Sequence, residues 1–279
     1  MKHYYLNNEH AGTFGLFETA RLINFLVNSR YSVWETTPTT FLITAGVEDS
    51  EFLNFKSRFE EIAKGNFSKE HLPEKHCKDN LWLIKPANLN QGRGIEIFKN
   101  YDKIISFLKT QTPNSYWVAQ KYVERPLLYK ERKFDIRIWV LVTHKFEVFI
   151  YKHGYIRTSS DSYSLDNPNN YVHLTNNCLQ KHGENYGKHE AGNTLGLDAL
   201  QDYLDQNYGD FGVSVEKHLL PRMKDLIIDS FLSAKKSLNP NKRKNCFELF
   251  GYDFLIDEDF RTWLLEVLWQ TGNKLIYFK

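Results

Sequence analysis

The sequence predicts an α+β fold, and three observations carry that prediction. Segments 115–124, 132–142 and 146–157 read as three strands in direct succession, with no helical stretch between them. The end of the chain repeats the pattern, where "FELFGYDFLID" and "RTWLLEV" flank the turn residues "DED". Helical periodicity is confined to stretches that stand apart from these runs, so no βαβ series emerges.

In chain order, "LFETARLINFLV" (16–27) and "SEFLNFKSRFEEIAK" (50–64) space their apolar residues as helices do. "NLWLIKP" (80–86) is a compact apolar run closed by proline, which predicts a strand. "ANLNQGRG" (87–94) supplies a loop and "IEIF" (95–98) a second short strand. "YDKIISFLKT" (101–110) predicts a helix, with Asp102 in the first turn where the helix dipole favours an anion. Over 212–237, Leu219, Met223, Leu226, Ile227 and Phe231 form one helical stripe. Pro221 falls near its start, where a missing N–H costs little.

The chain has 279 residues, 42% hydrophobic and 15% aromatic, enough for a real core. Its 36 Lys+Arg nearly balance 34 Asp+Glu, so bulk charge does not argue for a nucleic-acid partner. Cys77, Cys178 and Cys246 are widely spaced and form no CxxC, which argues against zinc or a disulfide framework and suits a reducing compartment. The N-terminal residues lack the apolar run of a secretory signal, and no stretch approaches the ~18 apolar residues of a membrane span. A soluble, intracellular, globular protein is the expectation.

Three constellations could carry chemistry. Lys85 ends one strand and is followed by Gly92-Arg93-Gly94, a loop that could wrap backbone N–H groups and an ammonium around phosphates. An ordinary glycine-containing hairpin reads the same way. The loop is no Walker motif, and it leads into a strand where a dinucleotide fingerprint would open a helix. Next, "RKFDIRIWVLV" (132–142) puts Lys133, Asp135 and Arg137 on one face of a strand. The row either faces water or lines a cleft, where buried charges need partners or a ligand of opposite sign. A phosphate with its metal ion, or two anionic substrates, would suit it. The run "IWVLV" that follows is apolar on both faces and predicts entry into the core.

The third constellation is Asp253 and Glu266. If the last turn centres on Glu258-Asp259, Asp253 opposes Leu264 and Gly251 opposes Glu266. The two acids are then diagonal neighbours on one face, ~7–8 Å apart. They are either surface acids or ligands for Mg²⁺; a slip of one residue would put them on opposite faces. The same parity places Leu268 beside them. Arg157 could clamp a carboxylate bidentately or lie on the surface. "VHLTNNCLQKHGENYG" (172–187) is crowded with hydrogen-bonding side chains, as a site loop or any polar loop is.

Taken in order, these features resemble the tubulin–tyrosine ligase-like family, whose members have an ATP-grasp fold of N-terminal, central and C-terminal subdomains around a nucleotide cleft. The resemblance rests on "LWLIKPANLNQGRGIEIF", "VAQKYVERPLLYKERKFDIRIWVLVT", "GYIRTSS", "VHLTNNCLQKHGENYG" and "CFELFGYDFLIDEDFRTWLLEV". It runs from about residue 80 to 267; before that, "TTPTTFLI" (36–43) is the part that can be placed. It implies one region over 1–279, with 1–45 an N-terminal remnant, 46–122 a central lid and 123–279 a catalytic sheet truncated at its end.

Residue by residue, the resemblance implies that Lys85 contacts the ATP phosphates and that Gly92, Arg93 and Gly94 close over them. Gln120, Lys121, Tyr122 and Val123 would meet adenine, largely through backbone, and Lys133 and Asp135 would belong to the nucleotide pocket. Arg137 would stabilise the reacting phosphoryl group, and Arg157 would hold the carboxylate of the incoming amino acid. Thr175 and Asn176 would line the nucleotide side, Lys181 would add a contact to the amino acid, and Asp253 and Glu266 would hold Mg²⁺. Catalytic weight would rest on Arg137, Lys133 and Arg157.

The implied reaction activates a carboxylate of the tubulin C-terminal tail as an acyl phosphate and joins it to a free amino acid. Tyrosine is favoured from the 174–195 stretch, while "NN" and "ERPLLY" also resemble glycine ligases and glutamate stays open. No nucleic acid or membrane partner is implied, and cytoplasmic microtubules or a cilium would be the setting. One departure stands out: Leu268 occupies the place of the family's third metal ligand, an Asn. The alternative is therefore a non-catalytic protein that binds tubulin or nucleotide.

Overall fold

The fold is described from a computed structural model over residues 36–44, 46–65, 79–87, 89, 92–111 and 115–269. The helix expected over 16–27 lies outside the described residues. Strand β1 (Thr40–Ile43) is followed by helix α1 (Ser50–Ala63), β2 (Trp82–Pro86), β3 (Glu96–Phe98), α2 (Tyr101–Lys109) and β4 (Trp117–Lys121). The four strands form one antiparallel sheet in the order β1-β4-β2-β3. Both predicted helices form, and each begins on a side-chain cap. Asp49 accepts from the Glu51 N–H and Asn100 from the Lys103 N–H, worth ~1 kcal/mol each. Trp82 and Ile84 point from β2 into a core with Phe52, Phe55, Phe59, Ile104 and Leu108. The Phe55 and Trp82 rings meet edge to face at 4.9 Å. Because side chains alternate along β2, Leu83 and Lys85 project from the opposite face.

The chain then runs through β5 (Leu128–Tyr129), β6 (Arg132–Thr143), β7 (Val148–Ile150) and β8 (Tyr155–Thr158). Two single-turn helices, α3 (Asn170–His173) and α4 (Asn177–Gln180), precede β9 (Thr194–Gly196), α5 (Leu197–Tyr208), α6 (Leu220–Leu238), β10 (Phe247–Ile256) and β11 (Thr262–Trp269). The second sheet has the order β11-β10-β6-β8-β9, with β5 and β7 also paired to β6. On one face Phe134, Ile136, Ile138 and Val140 of β6 pack with Leu200 and Leu204 of α5 and with Met223, Leu226, Ile227 and Phe231 of α6. Fully burying a side chain of this size is worth ~1.5–3 kcal/mol. Pro221 sits in the first turn of α6, as expected, behind a π turn over Val215–Leu219. Among the described residues no helix is long and apolar enough to cross a membrane.

Three expectations need correction. The run 146–157 is two strands, because its register against β6 shifts by two residues between the Val140–Ile150 and Arg137–Tyr155 pairs. Gly154, within the break, lies against Ile138 and the Arg137 carbonyl where a side chain would collide. Helix α5 has no counterpart in the elements predicted from the sequence. Burial along β6 also runs opposite to the prediction. The charged half is the interior part, with Asp135 4% and Arg137 8% exposed, whereas Trp139 and Leu141 on the same face are half-buried. The charges are sheltered by their neighbours, Asp135 by Arg157 and Thr175 and Arg137 by Asp253 and Trp139.

Candidate active site

The chain leaves β4 through Lys121–Val123 and crosses to the second sheet, so this segment forms one edge of a cleft between the two sheets. Leu83, Lys85 and Gln120 line it from the first sheet, and Lys133, Asp135, Asp253, Leu255, Leu265 and Glu266 from the second. Its volume is about 630 Å³, including the space open to solvent. Lys121 turns its own side chain away from the cleft, to the Leu81 carbonyl at 2.8 Å and Glu124 at 2.7 Å. Glu124 also accepts from the N–H groups of Asp79 and Leu81, both at 2.8 Å. This buried pair fixes the crossing.

The terminal hairpin supplies two acids, in a register that differs from the expected one. Phe254 pairs with Leu264, one residue off the predicted alignment. A bulge at Leu265 then shifts the ladder again, so Asp253 pairs with Glu266 and Gly251 with Leu268. Two one-residue shifts restore the original parity. Asp253 and Glu266 therefore share a face as direct partners, closer than the diagonal arrangement expected. Leu268 is on that face too.

Asp253 also pairs directly with Arg137 across β10 and β6, and Asp135 pairs with Arg157 across β6 and β8. The row seen in the sequence thus continues over the sheet. Arg137 donates from Nε and Nη2 to the two carboxylate oxygens of Asp253. Arg157 donates to Asp135 from Nε at 2.6 Å and Nη2 at 2.8 Å, and Nη2 reaches Asp253 Oδ2 at 2.7 Å. Thr175 donates its hydroxyl to Asp135. Burial opposes ionisation of Asp253, but the guanidiniums of Arg157 and Arg137 outweigh it and hold the carboxyl at about 2. Gly251 matters sterically, because a Cβ there would come within 3.2 Å of Arg137 Nη1. Trp139 covers the same guanidinium, with its ring 5.2 Å from Cζ.

Two lysines enter the cleft from opposite sheets. Lys85 donates to Gln120 Oε1 at 2.6 Å; burial lowers its pKa, while Glu266 and Asp253 act to raise it. Lys133 donates to the Tyr122 hydroxyl at 3.0 Å and the His173 carbonyl at 2.9 Å. Burial brings Lys133 down to about 7, with Asp135 opposing and Lys85 reinforcing the shift. His173 Nε2 lies 2.6 Å from the Asn167 carbonyl, which can only accept, so Nε2 carries the proton. Nδ1 therefore accepts from the Tyr122 hydroxyl at 2.9 Å. Two lysines close enough to perturb each other thus line the cleft from opposite sheets, an arrangement suited to a polyanion.

Of the other candidates, Thr175, Asn176 and Val123 line the cleft. Gly92 and Gly94 both have positive φ, +77° and +68°, as a tight glycine loop requires. A Cβ on Gly92 would meet Asn176 Oδ1 at 3.0 Å, so the loop rests on the polar segment that ends the cleft. Arg93 and Lys181 are exposed, and neither lines the cleft. Arg137 and Arg157 lie behind Asp253 and Asp135 and are not part of its wall. Much of 172–187 braces itself: Gln180 holds Ser160 and the Leu174 carbonyl, and Asn177 holds the Gly192 carbonyl. Sequence reasoning passed over His173, Glu124 and the apolar lining of Leu83, Ile95, Leu255 and Leu265. Leu83 and Leu255 carried a signal, each two residues from a candidate, Lys85 and Asp253, on the same strand.

These residues fit the groups that the fold family uses. Lys85 and Lys133 match a polyphosphate. Asp253 and Glu266, two acids pressed together, are the hard oxygen donors that Mg²⁺ takes. Burial and then Asp253 push the Glu266 carboxyl up, and it accepts no hydrogen bond among the described residues. Leu268 offers no further donor, so substrate oxygens and water would complete the shell.

Two sheets closing on such a cleft define an ATP-grasp architecture. The chain belongs to the Tubulin-tyrosine ligase family, whose sequence model matches residues 26–269. It is 41% identical over 196 residues to Tubulin glycylase 3D of Tetrahymena thermophila, covering 68% of this chain and 18% of that protein. It is 40% identical over 195 residues to Tubulin glycylase 3A of Drosophila melanogaster, covering 67% and 19%. Protein monoglycylase TTLL8 of Homo sapiens is 38% identical over 202 residues, covering 67% and 23%. The chain thus matches about a fifth of the length of these relatives.

Proposed function

We propose that this chain carries the catalytic site of an ATP-dependent ligase that joins glycine to a carboxylate of tubulin. The observation that carries the proposal is the cleft itself: lysines from both sheets line it together with the paired acids Asp253 and Glu266. ATP, when bound, supplies the phosphoryl group that converts an acceptor carboxylate into an acyl phosphate, from which an amine displaces phosphate. Positioning and charge neutralisation are the protein's share of that chemistry. In this reading Lys85 and Lys133 take the phosphates, Gly92 to Gly94 cover them, and Gln120 to Val123 border adenine. Thr175 and Asn176 complete the nucleotide side, and Asp253 and Glu266 hold Mg²⁺. Arg137 meets the reacting phosphoryl group, and Arg157 the carboxylate of the amino acid, with Lys181 at the rim. Residues 46–122 act as the lid over the catalytic sheet of 123–279.

Glycine replaces the tyrosine favoured from the sequence because the similar proteins bear glycylase names. Cytoplasmic microtubules or a cilium would be the setting. The experiment is incorporation of labelled glycine, tyrosine and glutamate, each alone, into tubulin with ATP and Mg²⁺. Glycine incorporation supports the proposal, and tyrosine or glutamate alone would correct the substrate. Leu268, on the metal-facing side without a donor atom, favours one second reading, a non-catalytic binding protein. Such a protein would pellet with microtubules and incorporate none of the three.

A further inference from the structure

Arg157 is the residue assigned to an incoming carboxylate, yet in the ligand-free site its guanidinium already serves two carboxylates of the protein. The two attachments are unequal. Asp135 is its direct neighbour across β6 and β8 and binds it through two hydrogen bonds, at 2.6 and 2.8 Å. Thr175 fastens Asp135 from the other side. Paired, bidentate geometry of this kind is the stronger form of the contact. Asp253 belongs to β10, which is separated from β8 by β6, and reaches Arg157 through the single contact from Nη2.

Asp253 also has a competing demand. It stands opposite Glu266, which accepts no hydrogen bond among the described residues, and no third carboxylate, histidine or cysteine joins them there. Arg137, Arg157 and Lys85 offset part of the repulsion between these two acids, and a cation on their side would relieve the rest. A cation there draws on the same oxygens of Asp253 that now accept from Arg137 and Arg157.

We propose that Asp135 is the fixed positioning partner of Arg157 and Asp253 its exchangeable one. In the empty site Asp253 masks the guanidinium against carboxylates; a divalent cation engaging Asp253 and Glu266 unmasks it. This rests on the ligase reading and deepens it, because it makes amino-acid binding conditional on the metal–nucleotide complex. The partition follows from free-energy coupling: a cation that favours the unmasked arrangement must also be favoured by the carboxylate ligand.

The test is equilibrium dialysis of labelled glycine against the whole chain, with and without Mg²⁺ and a non-hydrolysable ATP analogue. Wild type is expected to bind glycine roughly tenfold or more tighter with the complex present, a usual size for such coupling. Asp253→Asn is expected to bind glycine without Mg²⁺ or nucleotide, near the affinity of the loaded wild type. Glu266→Gln, which keeps Asp253 on Arg157, is expected to stay weak under both conditions. Asp135→Asn is expected to lose glycine binding under both, and Asp135→Glu to restore part of it. Equal glycine affinity with and without the complex would overturn the masking while leaving the ligase reading intact. So would an Asp253→Asn variant that melts cooperatively yet gains no metal-free binding. If neither glycine, tyrosine nor glutamate binds under any condition, the ligase reading falls and takes the masking with it.

Discussion

Asp253 and Glu266 stand directly opposite each other across the terminal hairpin, and they do so because β11 carries one residue more than β10 at Leu265. Burial and the Asp253 charge raise the Glu266 carboxyl, so the folded chain holds its proton to higher pH than the unfolded chain. Stability therefore falls as pH rises above the ordinary glutamate range. Glu266→Gln should raise the melting temperature of the ligand-free protein at neutral pH by about 2 °C or more, from relief of roughly 1 kcal/mol. The same substitution should abolish the further rise that Mg²⁺ gives to the nucleotide complex. Thermal melts with and without Mg²⁺ check both parts.

Lys133 has the opposite sign. Its ammonium is held down from 10.5 to about 7 by burial, with Asp135 opposing and Lys85 adding to the effect. Between those values the unfolded chain binds the extra proton, so the folded state gains stability as pH rises from 7 toward 10.5. Lys133→Met removes a burden on the order of a few kcal/mol at pH 7 and below. The expected outcome is a ligand-free protein more stable than wild type at pH 6.5, with the advantage shrinking by pH 9, and with nucleotide binding lost. Urea titrations at the two pH values measure it.

The buried pair of Lys121 and Glu124 holds the crossing between the sheets. Lys121→Met leaves the Glu124 carboxylate with only the N–H groups of Asp79 and Leu81 among these contacts. Breaking one half of such a pair costs ~3–5 kcal/mol. The urea midpoint should drop accordingly, and far more than for Lys181→Met, whose exposed side chain should be nearly neutral.

Gly92 has φ +77° and faces Asn176 closely. An alanine there meets both a strained backbone and a 3.0 Å approach, at a cost of ~1 kcal/mol or more. Gly92→Ala should weaken binding of a fluorescent ATP analogue several-fold and lower the melting temperature by about 2 °C.

The alternation of Lys133, Asp135 and Arg137 was legible because a strand's period of two needs no tertiary knowledge. Their partners were not, since Asp253 and Arg157 come from strands that pair with β6 across 116 and 22 residues. The shared face of Asp253 and Glu266 was reached through a register that the structure corrects. Nothing in "DFLIDEDFRTWLLE" marks the bulge at Leu265, because a bulge answers to twist and packing and has no composition of its own here. Helix α5 escaped because its apolar stripe is short, with only Leu200 and Leu204 fully buried. Tyr122 was expected only as part of the adenine segment, and His173 only within the polar stretch 172–187; their tie to Lys133 exists only once α3 is folded over β6.

The central claim is that this cleft activates a carboxylate with ATP, and hydroxylamine trapping tests it most directly. Hydroxylamine in place of an amino acid displaces phosphate from an acyl phosphate and leaves a stable hydroxamate on the acceptor. With tubulin, ATP and Mg²⁺, the chain should form hydroxamate on tubulin at a rate that falls at least about tenfold in Arg137→Ala, as loss of a preorganised charge does. If the chain binds ATP and tubulin but produces no ATP-dependent hydroxamate above the tubulin-only background, the claim is contradicted.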